Sequence, residues 1–124
     1  MQEKLSFTSD GLKLSGVLHV PEGRRPGERL PCFIVLHGFV GTKDESHAEL
    51  QARMLEEFGY CAFRIDFRGC GESEGARGQV RCFDQVVDTK NALGFIRKAK
   101  LVLAANHTMR NHAVNFALAD LHAA

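Results

Sequence analysis

Cys32-Phe33-Ile34-Val35-Leu36-His37-Gly38-Phe39 is the stretch that decides the fold. Its first five residues are apolar without alternation. That is the pattern of a strand covered on both faces, as parallel sheets require. The run stops at His37-Gly38-Phe39, where glycine permits a sharp turn. Downstream, Leu50, Met54, Leu55 and Phe58 recur at helical spacing between Asp44 and Phe58, and Gly59 is placed to end that amphipathic helix. Cys61 to Phe67 reads as a second buried strand, and the glycine-rich Arg68 to Gly78 as a loop. From Val80 to Lys98, Phe83, Val86, Val87, Leu93, Phe95 and Ile96 predict a second helix with a basic last turn. Leu101 to Ala105 predicts one more strand, and His112 to Ala124 an Ala-rich helix.

Upstream, Lys4 to Thr8 and Leu12 to Val20 are strand-like runs joined by Ser9-Asp10-Gly11, a good hairpin turn. Pro21 to Pro31 has no apolar periodicity and reads as an exposed connection. A hairpin followed by alternating strands and helices gives the fold class α/β: an N-terminal antiparallel hairpin plus parallel strands with right-handed crossover helices. Ligands of such sheets bind at the carboxyl ends of the strands, which directs attention to the turns after Leu36, Phe67 and Ala105.

The 124 residues suffice for one domain, and a 44% hydrophobic, 25% charged composition is that of a globular chain. Sixteen basic residues against fifteen acidic leave a net charge of +1, no electrostatic reason to expect nucleic acid or an anionic membrane as partner. No run is long enough to span a membrane and Met1 to Leu5 begins no signal peptide, so a cytoplasmic protein is expected. Cys32, Cys61, Cys70 and Cys82 are dispersed without a C-x-x-C pair, which argues against disulfide and metal site alike. No cofactor motif is present.

In the turn after Leu36, the backbone N–H of Phe39 can point into the crevice and stabilise a developing oxyanion. The plainer alternative is a tight turn with a hydrogen-bonded His37. After Phe67, Asp66 and Arg68 can tie the loop down by charge-assisted hydrogen bonds, while Gly69 and Gly71 allow close backbone approach. Gly71-Glu72-Ser73-Glu74-Gly75 is a literal G-x-S-x-G. It lacks the strand running directly into a nucleophile elbow, and two carboxylates flank Ser73, so it reads as a decoy.

The order strand, H-G-F, helix, F-G-Y, strand, D-F-R-G-x-G-E-S-E-G resembles the N-terminal half of an α/β-hydrolase, in particular the esterase and acyl-peptidase-like branch that includes feruloyl and cinnamoyl esterases. The resemblance runs from Leu12 to about Lys98. It implies a truncated α/β-hydrolase sheet, with residues 1–124 forming a single partial domain. It also implies that Phe39 donates one oxyanion-hole N–H and that the loop carrying His37, Gly38, Asp66, Arg68, Gly69 and Gly71 is structural. The family's nucleophile turn, usually G-H-S-x-G, falls on Asn106-His107-Thr108-Met109-Arg110. Thr108 takes the nucleophile position, and Met109 the second oxyanion donor.

Both elbow glycines are replaced, by Asn106 and Arg110, and a β-branched Thr108 fits a strained turn badly. No serine follows Ser73 and no cysteine follows Cys82, and the family's acid and His would lie beyond Ala124. Three functions are compatible with this: a hydrolase-fold chain inactive or weakly active alone, a small esterase completed by a second subunit, or a non-catalytic binding module. If active, the substrate is a small-molecule ester. A sheet that stops early predicts self-association through its exposed edge.

Overall fold

The computed structural model describes residues 1–99 and, through their backbone, 107–109. Strands β1 (Gln2–Ser9) and β2 (Leu12–His19) form the predicted hairpin, in register from Gln2↔His19 to Ser9↔Leu12. Asp10 and Gly11 both take positive φ, 49° and 76°, as a two-residue type I′ turn demands. β3 (Cys32–Leu36) and β4 (Cys61–Ile65) are the buried parallel pair, and α1 (Ser46–Glu57) joins them. α2 (Cys82–Arg97) follows, and β5 (His107–Met109) pairs parallel with β3. The strand order is β1-β2-β4-β3-β5, with β2 antiparallel to β4.

Alternate side chains of the central strands feed two cores. Ile34 and Leu36 of β3 join Phe63 and Ile65 of β4, Leu14 and Leu18 of β2, and Leu93 and Ile96 of α2. On the other face Val35 and Ala62 meet Ala48, Ala52 and Leu55 of α1. This corrects the predicted helix face. Of Leu50, Met54, Leu55 and Phe58 only Leu55 is buried, because small alanines let α1 lie close to the sheet and turn the larger side chains outward. α2 likewise buries Asp88, Thr89, Ala92, Leu93 and Ile96 and leaves Phe83 exposed.

β4 ends at Ile65, two residues before the predicted Phe67. The predicted strand Leu101–Ala105 and helix His112–Ala124 lie outside the described residues. The extended segment seen is His107–Met109, where a turn was expected. Without glycine at Asn106 or Arg110, nothing in the sequence forces the backbone to turn there, and β-branched Thr108 suits a strand. No helix among the described residues is long and apolar enough to cross a membrane. All four cysteines are free thiols; burial pushes Cys61 up to about 11 and Cys32 higher still.

Candidate functional site

Two loops meet at the carboxyl ends of β3 and β4. The first turns at Gly38, where the Gly41 N–H donates to the Gly38 carbonyl at 3.0 Å. With Val40 at φ 60°, the four residues from Gly38 to Gly41 form a type II pattern with Phe39 at its second position. A β-branched residue rarely adopts this conformation, and Val40 is 70% exposed, so packing of its side chain does not explain it. The Phe39 side chain is also exposed, and its N–H has no partner among the described residues.

His37 is buried and fully used. The Phe67 N–H donates to its Nε2 at 3.2 Å, so the ring proton sits on Nδ1, which donates to the Gly38 carbonyl at 2.8 Å. Its ring also meets Phe67 edge-on, centroids 5.0 Å apart. The plainer alternative for His37 is therefore the observed one: it stitches the two loops together.

Asp66 is the hub of the second loop. Its carboxylate accepts the Lys43 N–H at 2.6 Å, the Lys43 ammonium at 2.9 Å and the Glu72 N–H at 2.9 Å. Gly71 is obligatory beside it: φ is 51°, and a Cβ there would fall on the Asp66 carboxylate. Lys43 is buried and also bonds Glu72 at 2.6 Å and Asp44 at 3.1 Å. Burial pulls its pKa down, but these carboxylates outweigh burial and hold it above the ordinary lysine range. Hydrogen bonds from Lys4 and then Lys43 lower Glu72 to about 2. The charge of Lys43 is thus consumed by structure.

Arg68 does not meet Asp66. It holds Asp88 of α2 through Nη2 and Nε, at 2.8 and 3.1 Å, and reaches Asp10 at 3.0 Å. Hydrogen bonds that Arg68 donates to Asp88 raise its pKa despite partial burial. The Gly69 N–H closes the loop onto the Glu74 carbonyl at 2.9 Å. Ser73 is buried, its Oγ donating to the Asp66 carbonyl at 2.7 Å and accepting the Ser15 N–H at 2.9 Å. Both sides of that hydroxyl are occupied, as a structural serine requires.

β5 pairs His107, Thr108 and Met109 with Phe33, Ile34 and Val35. The backbone of Thr108 and Met109 therefore lies alongside β3, before Leu36, and not in a turn beyond it. Met109 lies beside Val35 within the sheet, whereas Phe39 lies in the turn that follows β3. Sequence reasoning missed Lys43 and Asp88. The signal for Asp88 was a charged residue one turn before Ala92 and two before Ile96 on a helical face; Lys43, in a polar loop, gave none. Among the described residues no group of three His, Cys, Asp or Glu could hold a metal.

Against this geometry, the profile of a family described as serine aminopeptidase, S33, matches residues 28–108. The chain belongs to that family. As an S33-family chain it is 34% identical over 96 residues to the uncharacterized protein YfhR of Salmonella typhimurium, covering 77% of this chain and 31% of YfhR. It is 30% identical over 94 residues to an uncharacterized 31.7 kDa protein of Escherichia coli, covering 76% and 31%. The S33-family chain thus spans about a third of the curated relatives it matches. Among solved structures it is similar to the α/β hydrolase GrgF of Penicillium sp. sh18, with TM-score 0.76, 26% identity and coverage of 87% and 36%. It is also similar to Est1E of Butyrivibrio proteoclasticus with ferulic acid bound, with TM-score 0.74, 27% identity and coverage of 80% and 39%. The fold is that of the α/β hydrolases.

Proposed function

We propose that this S33-family chain is the oxyanion-donor portion of a carboxylic-ester hydrolase fold, inactive or weakly active alone because Asn106 to Arg110, where the family's nucleophile turn would fall, lacks both elbow glycines. The observation that carries the reading is the Phe39 N–H, unpartnered among the described residues and held in a tight turn at the carboxyl end of β3. A neutral N–H donor fixed before the reaction stabilises negative charge developing on a carbonyl oxygen without reorganising. Lys43 is the neighbouring cation, and it is already neutralised by Asp66 and Glu72. The similarity to Est1E, solved with ferulic acid, supports a small-molecule ester as the ligand class.

Hydrolysis of a short-chain aryl ester by the purified chain tests this. Turnover absent, or weak and lost in Thr108→Ala, fits the proposal. Vigorous turnover that survives Thr108→Ala refutes the degenerate-turn assignment, and a matching loss in Ser73→Ala at unchanged stability would restore Ser73 as nucleophile.

A further inference from the structure

The helix α1 turns its large apolar side chains away from the sheet. Ala48, Ala52 and Leu55 meet the sheet. Leu50, Met54 and Phe58, spaced four apart, form a stripe on the outer side, exposed by 56, 46 and 71%. Tyr60, 38% exposed and packed edge-on against Phe33, extends the patch beyond the helix end. Arg53 and Glu57 border the stripe on one flank, both exposed and neither in an ion pair among the described residues.

We propose that this face of α1 is an interface between two copies of the chain, docked antiparallel about a two-fold axis passing by Met54. The charges select both the occupant and the direction. Arg53 and Glu57 are one helical turn apart on the same flank. A parallel two-fold copy would carry this flank to the opposite side of the seam, where neither Arg53 nor Glu57 meets its counterpart. An antiparallel copy sets Leu50 against the partner's Phe58 and Arg53 beside the partner's Glu57, and symmetry repeats each contact. Antiparallel helices also oppose their dipoles favourably. The patch is therefore complementary to itself, the requirement of an isologous dimer. The exposed edge expected from sequence is a weaker candidate, since β5 is three residues long and offers few backbone groups for pairing. The dimer does not rest on the ester-hydrolase reading.

Sedimentation of the 124-residue chain over about 1 to 100 μM tests the inference, with circular dichroism melts to verify folding of each variant. The wild type is expected as a concentration-dependent dimer. Arg53→Glu places four acidic groups along the interface and should weaken the dimer about tenfold. The double swap Arg53→Glu with Glu57→Arg should bring the dissociation constant back to within about threefold of wild type, because it reverses both signs and keeps the complementarity. A monomer throughout the range overturns the proposal. So does a dimer or larger assembly indifferent to the single swap, or one that the double swap fails to rescue.

Discussion

Arg68 and Asp88, twenty residues apart in sequence, are locked by three side-chain hydrogen bonds from Nη2 and Nε, while the Arg68 backbone N–H donates to Oδ2 of Asp88 at 2.9 Å. The same carboxylate accepts the Ser9 hydroxyl at 2.7 Å, and Asn91 donates to Ser9 at 2.9 Å. One buried aspartate thus joins the glycine-rich loop, the hairpin and α2.

Removing the cation leaves that carboxylate buried and partly unpaired. Arg68→Ala should destabilise the fold by about 2 to 3 kcal/mol, below the range for a fully buried pair because Arg68 is partly exposed. Urea unfolding measures this. Arg68→Met combined with Asp88→Leu should cost less than the sum of the two single changes.

The loop geometry predicts a contrast between two glycines. Gly71→Ala meets both a left-handed backbone and the Asp66 carboxylate, and should cost about 2 to 4 kcal/mol. Gly78→Ala, at φ 80° with open space around it, should cost about 1 kcal/mol. Thermal midpoints of the two variants separate steric conflict from backbone strain.

Val40 and Phe39 can be tested within one turn. Val40→Gly should stabilise the chain by about 0.5 to 1 kcal/mol in urea, since the relief of strain exceeds the added flexibility of the unfolded chain. Phe39→Pro suits the second position of a type II turn and deletes the N–H along with a side chain that is exposed and unpacked. Where the wild type shows measurable ester turnover, this variant should fold normally and lose about a hundredfold in rate, the effect of one missing oxyanion donor.

Acid should loosen the α1 face. His19 is buried between Arg64, which donates to its Nε2 at 2.9 Å, and Glu56, which accepts from its Nδ1 at 2.9 Å. Burial chiefly lowers its pKa, the Glu56 bond opposes this, and Arg64 lowers it further. A depressed histidine means that the folded state prefers the neutral ring. Its contribution is present above the unfolded value of 6.5 and is lost as pH falls below it. Glu56 is also lowered, because bonds from the N-terminal amine and His19 outweigh burial, so its contribution fades below 4.5. Melting temperatures should therefore fall between pH 7 and 5, and His19→Gln should flatten that slope.

The sequence exposes some of this more readily than the rest. The unbroken apolar run at Cys32–Leu36, ending in His37-Gly38, is legible as a buried strand, and Asp10-Gly11 dictates its own turn. Periodicity locates α1 but not its inward face, because the apolar stripe and the alanine stripe both repeat every four residues. Only contact with Val35 and Ala62 decides between them. The hydrogen-bond hubs are harder to read. Lys43 finds Asp66 across 23 residues and Ser15 finds Ser73 across 58, distances over which no local pattern operates. The crevice was placed by topology, whereas what fills its polar bonds came only from three-dimensional closure.

The dependence of β2 on later residues also has a consequence in time. Its free edge waits for β4, its Ser15 N–H for Ser73, and its Lys13 groups for Glu74. Synthesis at about 5 to 20 residues per second leaves the hairpin out of the ribosome for roughly 3 to 12 seconds before those partners emerge. For that interval β2 is an open template, and the loop from Asp66 to Gly75 is the piece whose arrival closes it.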